Sequence, residues 1–179
     1  MTMRGIFSMD PGGHTGLAWG IFDTSASIAD ALNNGIDKGS RTLEGDEHAQ
    51  IEAIANIWVK FFRHCVEVRC LAPERVEFVS EDFVQRPGSS GGKEGQSPIR
   101  ILWGVEGYRM GRAAEFAGRR GSKKRVIAPR IILQNPSLGS GVSRKMLESY
   151  GCWVIGREHE RSAFKHIAVR LGRIHKTVS

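Results

Sequence analysis

At 179 residues, 40% hydrophobic and 25% charged, the chain suits one domain over residues 1–179 and can bury one substantial core. No apolar run approaches the ~20 residues of a membrane-spanning helix. The N-terminus runs straight into a short strand-like stretch, so neither a membrane anchor nor a secretory leader is expected. The formal net charge of +7 favours a polyanionic partner.

The chain opens on two apolar strands, roughly Met3–Met9 and Gly16–Phe22, joined by Asp10-Pro11-Gly12-Gly13-His14-Thr15. Pro11 sets the turn's entry, and Gly12 and Gly13 are expected to supply backbone freedom. Asp10 stands where the first strand ends. A carboxylate there is costly unless paired, exposed or holding a cation, so it either caps the turn or ligates a metal. A polar stretch, Asp23–Arg41, contains the turn signal Asn33-Asn34-Gly35, and a third antiparallel strand follows around Lys38–Leu43. Asp46 and Glu47 then open a helix to about Leu71, with Ile51, Ile54, Ala55, Trp58, Phe61, Phe62 and Cys65 on one face. That helix packs the core, and its His48 and His64 read as surface or satisfied histidines. Cys65, Cys70 and Cys152, an odd number without CxxC spacing, read as buried reduced thiols of a cytoplasmic protein.

After Pro73, Arg75–Glu81 reads as a strand that delivers a second acid, Glu81, to a strand end, with Asp82 beside it. A helical crossover makes this strand parallel to the first, which brings Glu81 to the sheet edge of Asp10. Gln85–Pro98 is Gly/Ser-rich, either a linker or a substrate-ordered loop. A helix is expected over Ile99–Gly118, where Gly104, Gly107 and Gly111 leave a flat surface for close approach. A short strand, Val126–Ala128, ends at Pro129. Gln134–Ser140 reads as a turn-rich connection and Ser143–Tyr150 as a short helix.

Charge is concentrated in one part of the chain. Nine basic residues and two acids fall between Ile99 and Arg130, and Arg119, Arg120, Lys123, Lys124 and Arg125 crowd into seven positions. Mixed charge is an ordinary solvated face, whereas five like charges in one loop favour nucleic-acid phosphates. Arg86, Lys93 and Arg144 are secondary phosphate candidates. Phe83 either stacks on bases at a branch or is a core aromatic. The last helix starts near Arg157 and packs Ala163, Ile167, Leu171 and Ile174 on the sheet. Glu158, His159, Ser162 and His166 share an adjacent face, a cluster that suits metal binding or acid–base chemistry.

Asp10-Pro11-Gly12 with Thr15-Gly16, Ser80-Glu81-Asp82-Phe83 and His159-Glu160-Arg161-Ser162-Ala163 occur in an order that resembles the RNase H-like nucleases. Within them the likeness is to RuvC-like Holliday junction resolvases, particularly small phage-type members. The resemblance spans nearly the whole chain. It implies an α/β fold with a mixed five-stranded sheet, the first three strands antiparallel and the rest parallel, flanked by helices. It also implies a homodimer, through the Trp103–Phe116 helix, that cuts branched or junction DNA; a phage-encoded enzyme would work in the bacterial host cytoplasm. Asp10, Glu81 and His159 correspond to residues that hold two Mg²⁺ or Mn²⁺ ions. Carboxylate oxygens suit such hard ions, and two ions about 3.5–4 Å apart serve phosphodiester hydrolysis. Histidine can instead act in proton transfer.

Ser162 departs from that pattern, for the family has an aspartate there. Glu158 or Asp82 takes its place, or one ion is held tightly with Mn²⁺ favoured, or the chain is a weakened nuclease. The functional alternatives are a flap endonuclease or exonuclease with the same chemistry, and a branched-DNA-binding module with reduced catalysis. A more distant one is an ATP-binding kinase, because Asp10–Gly16 also looks like the phosphate hairpin of acetate and sugar kinases.

Overall fold

The computed structural model describes residues 2–82, 93–119, 130–153 and 155–178. In chain order the elements are β1 (Met3–Asp10), β2 (Thr15–Asp23), α1 (Ile28–Asn33), β3 (Ile36–Leu43), α2 (Glu47–Arg63) and β4 (Val76–Glu81). They continue with α3 (Lys93–Arg119), β5 (Ile131–Gln134), α4 (Pro136–Gly139), α5 (Arg144–Ser149) and α6 (Glu158–Val178). The strands form one sheet in the order β3-β2-β1-β4-β5. The β1–β2 and β2–β3 pairs are antiparallel, whereas β4 runs parallel to both β1 and β5. This is the mixed five-stranded sheet that the resemblance implies.

Strand alternation divides the apolar residues between two faces. Phe7, Met9, Leu17, Ile21 and Phe78 pack under Ile54, Trp58 and Phe61 of α2 and Ile101 and Val105 of α3. The Phe7 ring lies 4.9 Å from Phe78 and 5.6 Å from Trp58, both edge-on. Ile6, Ala18, Phe22 and Val79 face the other way, onto Ala163, Ile167, Leu171 and Ile174 of α6. Each large apolar side chain buried this way contributes roughly 1.5–3 kcal/mol before entropy.

Two buried carboxylates tie α6 to the sheet. Glu77 of β4 accepts from Arg4 at 2.8 Å and from Arg170 of α6 at 2.7 and 2.8 Å. Glu160, 1% exposed, accepts from Ser40 and Thr42 of β3 and lies 3.3 Å from Arg157. Breaking such a buried pair by removing one partner costs about 3–5 kcal/mol.

Several local expectations are corrected. Neither Gly12 nor Gly13 adopts a positive φ, and a Cβ at Gly13 would meet nothing. The β1–β2 turn is held instead by Gln50 of α2, whose amide donates to the Gly13 and Gly45 carbonyls at 2.9 Å each. Gly16 is the glycine that packing requires, because a Cβ there would collide with the His159 backbone at the start of α6. The polar stretch after β2 contains α1, capped by Ser27 and burying Ala31 and Leu32. β3 begins at Ile36, and α2 ends at Arg63 in a π-helical turn, His64–Val68. His64 is satisfied by Asp37 at 2.8 Å. Cys65 and Cys152 are buried free thiols, but Cys70 is exposed, at a positive φ just past that turn. α3 starts earlier than expected, at Lys93, with Pro98 inside it. Ile131–Gln134 is a strand, although the sequence marks no element over Ile131–Leu133 and places Gln134 in a connection, and Val126–Ala128 lies outside the described residues.

Candidate active site

Two strand ends and one helix build the site. Ile6, Ser8 and Asp10 alternate onto the α6 side of β1, and Glu77, Val79 and Glu81 onto the same side of β4. The strands are parallel with Met9 opposite Ser80, so Asp10 and Glu81 emerge together at one edge. Gln134 is in register with Glu81 and extends the edge by one strand.

Across from these acids, α6 contributes three side chains. Ser162 lies beside Asp10 and favours its ionised form. His159 Nδ1 is 3.9 Å from Asp10 Oδ2, with that imidazole 44% exposed and its ring centroid 5.8 Å from that of His14. His166 is 1% exposed; its Nδ1 is 3.1 Å from Gln134 Oε1 and its Nε2 is 3.4 Å from Glu81 Oε2. A cleft of about 520 Å³ opens beside His159, lined also by His14, Arg41, Glu44, Arg157 and Glu160.

The two acids titrate as one unit. Burial pushes Asp10 up to about 8, reinforced by the hydrogen bond and charge of Glu81 and opposed by Ser162 and Lys165. His166 holds Glu81 below the usual carboxylate range, against the opposing effect of burial. Without a cation, the pair therefore keeps one proton near neutral pH, on Asp10. Two converging carboxylates that cannot both ionise unaided are a donor set suited to one hard divalent ion. Among the described residues no three Asp, Glu, His or Cys side chains close around a single point. Ser162 brings no charge, so a second ion lacks a carboxylate of its own.

The remaining sequence candidates fall elsewhere. Glu158 does not join the acids: its side chain is 85% exposed and pairs with Arg161 at 3.4 Å. Asp82 follows β4 and donates its backbone N–H to the Gln134 carbonyl at 2.6 Å. Arg144, 71% exposed, pairs with Glu148 at 2.7 Å and lies over the Trp153 ring. Within the basic stretch, Arg109 turns inward to Glu106. Phe83, Arg86, Arg120, Lys123, Lys124 and Arg125 lie outside the described residues, as do the side chains of Lys93 and Arg119. Of the other side chains at the site, the sequence singles out His166 only as part of the α6 cluster with Glu158, His159 and Ser162, and it gives no signal for Gln134 or Lys165.

No family model and no curated protein matches the sequence. Among solved structures, Thermus thermophilus RuvC in complex with Holliday junction substrate aligns over 98% of this chain and 96% of its own, with a TM-score of 0.51 at 9% identity. The chain has an RNase H-like fold. A further Thermus thermophilus RuvC structure aligns over the same shares at 10% identity, with a TM-score of 0.48. In this RNase H-like sheet the central parallel pair, β1 and β4, carries Asp10 and Glu81, and α6 lies over both strands.

Proposed function

We propose that the chain is a divalent-metal-dependent endodeoxyribonuclease that cuts Holliday junctions or related branched DNA by phosphodiester hydrolysis. The observation that carries this reading is the convergence of Asp10 and Glu81 under α6, in a pair whose Asp10 is pushed up to about 8 by burial and by Glu81. The likeness of fold to a RuvC solved on Holliday junction substrate directs the proposal to junctions.

Asp10 and Glu81 hold the ion. Bound Mg²⁺ or Mn²⁺ supplies Lewis acidity toward the phosphodiester and a water nucleophile at neutral pH. Ser162, beside Asp10, favours the ionised form of its carboxylate. His159, half-exposed beside Asp10, is placed to hold or pass a proton where a DNA strand arrives. Arg119, Arg120, Lys123, Lys124 and Arg125 bind phosphates, with Arg86, Lys93 and Arg144 in support, and Phe83 stacks at the branch point. Two copies related by a two-fold axis would cut both strands symmetrically.

Labelled four-way junction, flap and nicked duplex, incubated in parallel with Mg²⁺ or Mn²⁺, test the reading. Paired symmetric nicks in the junction are expected, and Glu81→Gln should reduce them on the order of 10³-fold. Cutting confined to single-stranded ends would overturn the resolvase reading in favour of a flap endonuclease or exonuclease. A second reading, a branched-DNA-binding module with weakened catalysis, is favoured by the uncharged Ser162. It predicts junction binding with little or no product, and cutting gained on Ser162→Asp.

A further inference from the structure

Glu81 ends β4 with a long side chain that is 19% exposed. Left to itself, such a side chain would sample several rotamers, and its carboxylate would meet Asp10 only part of the time. His166 of α6, 1% exposed, stands against it, with Nε2 at 3.4 Å from Glu81 Oε2. Nε2–H donates to that oxygen, and this contact is the leading reason that Glu81 lies below the usual carboxylate range.

The imidazole is itself held. Its Nδ1 lies 3.1 Å from Oε1 of Gln134, a fully buried residue. An amide suits this place because it can serve the ring whether or not Nδ1 carries a proton. Oε1 accepts from a protonated Nδ1, and the amide turned over would donate Nε2–H to a bare one. Gln134 Nε2 is buried with no hydrogen-bond partner, so that turn would break no other bond. The Gln134 backbone serves the same acid: it is in register with Glu81, and its carbonyl accepts from Asp82 N–H at 2.6 Å. One residue of β5 thereby fixes the backbone end of β4 and, through the imidazole, the head of its last side chain.

We infer that His166 is a positioning residue for Glu81, holding the carboxylate by Nε2–H in the orientation that meets Asp10, with Gln134 locking the ring. Its consequence rests on the metal-centre reading above, since an acid held in one orientation binds a cation more tightly than one that wanders. A histidine that only filled the core would be replaceable by an apolar side chain of similar size. This one is replaceable only by another donor.

Two measurements on the full-length protein test this. The first is the long-range ¹H–¹⁵N NMR spectrum of the metal-free, ¹⁵N-histidine-labelled chain, with the His166 signals assigned by their loss in His166→Gln. His166 Nε2 should carry a proton protected from solvent, and its exchange should accelerate at least ~10-fold in Glu81→Ala and in Gln134→Leu. The second is Mn²⁺-dependent junction cutting. His166→Leu should lower kcat about 10–100-fold with KM for the junction unchanged. His166→Gln, which keeps an N–H donor near the place of Nε2, should recover most of that loss. An Nε2 without a proton, or one whose exchange ignores Glu81→Ala, would overturn the inference. So would wild-type kcat in His166→Leu, or equal losses in the Leu and Gln variants. A wild type that cuts no junction with Mg²⁺ or Mn²⁺ would overturn the nuclease reading, and the exchange measurement would still decide whether His166 holds Glu81.

Discussion

Asp10 is a buried carboxyl held against a second acid. Its carboxyl is pushed up to about 8 by burial and by Glu81, whereas in the unfolded chain it ionises near its ordinary value of 3.8. Between those values the native state binds the extra proton, so the free energy of unfolding falls as pH rises. The slope approaches ~1.4 kcal/mol per pH unit for one proton. Glu81, held below its ordinary value, acts the opposite way but only at more acid pH. The metal-free protein should therefore lose about 2–3 kcal/mol between pH 5 and pH 7, roughly 5–10 °C in Tm for a domain of this size. Saturating Mn²⁺ should flatten the profile by favouring the ionised pair, and Asp10→Asn should flatten it without metal. Calorimetric melts across that range check this; a wild-type Tm independent of pH would mean that the acids do not share a proton.

At the level of elements, the site depends on how closely α6 approaches β2. His159 stands beside Asp10 because the α6 backbone rests on Gly16, where a Cβ would collide with the His159 carbonyl. Gly16→Ala should thus cost at least ~3 kcal/mol and displace His159, whereas Gly13→Ala, meeting open space, should stay within ~0.5 kcal/mol. Equilibrium denaturation of the two variants measures the contrast; equal stabilities would show that α6 can shift at no cost. Here the sequence and the structure part in an instructive way. Apolar runs bounded by turn signals announced β1, β2 and β4, a helical period announced α6, and the runs put both acids at strand ends. The turn glycines misled, because Asp10-Pro11-Gly12-Gly13 looks like a turn in need of positive φ, while the constraint on Gly16 comes from a helix some 140 positions later in the sequence. β5 escaped notice because its four residues are ordered by pairing with β4, with no pattern of their own. α1 did so because six residues show hardly two turns. Gln134 belongs to the site only through its register with Glu81, a relation of topology.

At the scale of the whole molecule, α3 bears on the proposed paired cutting. Its Gly104 is occupied within the chain: a Cβ there would run into Ile51 of α2. Gly107 and Gly111 are different, since a Cβ at either meets nothing within 4 Å. At positions −4, +3 and +4 from Gly107 stand Trp103, Met110 and Gly111, and helical spacing gathers all four on one side. Trp103 is 67% exposed and Met110 61%, an uncommon amount of apolar surface for a helix whose other side is packed. Two copies of α3 crossing at the glycines would bury both side chains and approach closely, as a two-fold axis allows. A central tryptophan in such a contact is worth at least ~2 kcal/mol, or about 30-fold in Kd. Trp103→Glu should accordingly shift sedimentation from dimer to monomer at micromolar concentration while leaving the monomer's melting and Mn²⁺ binding intact, because Trp103 touches neither core nor site. Its junction products should change in kind: single nicks in place of simultaneous paired ones. A wild type that sediments as a monomer even on junction DNA would remove the symmetric-cutting part of the proposal and leave the proposed metal centre, whose Asp10 and Glu81 belong to one chain.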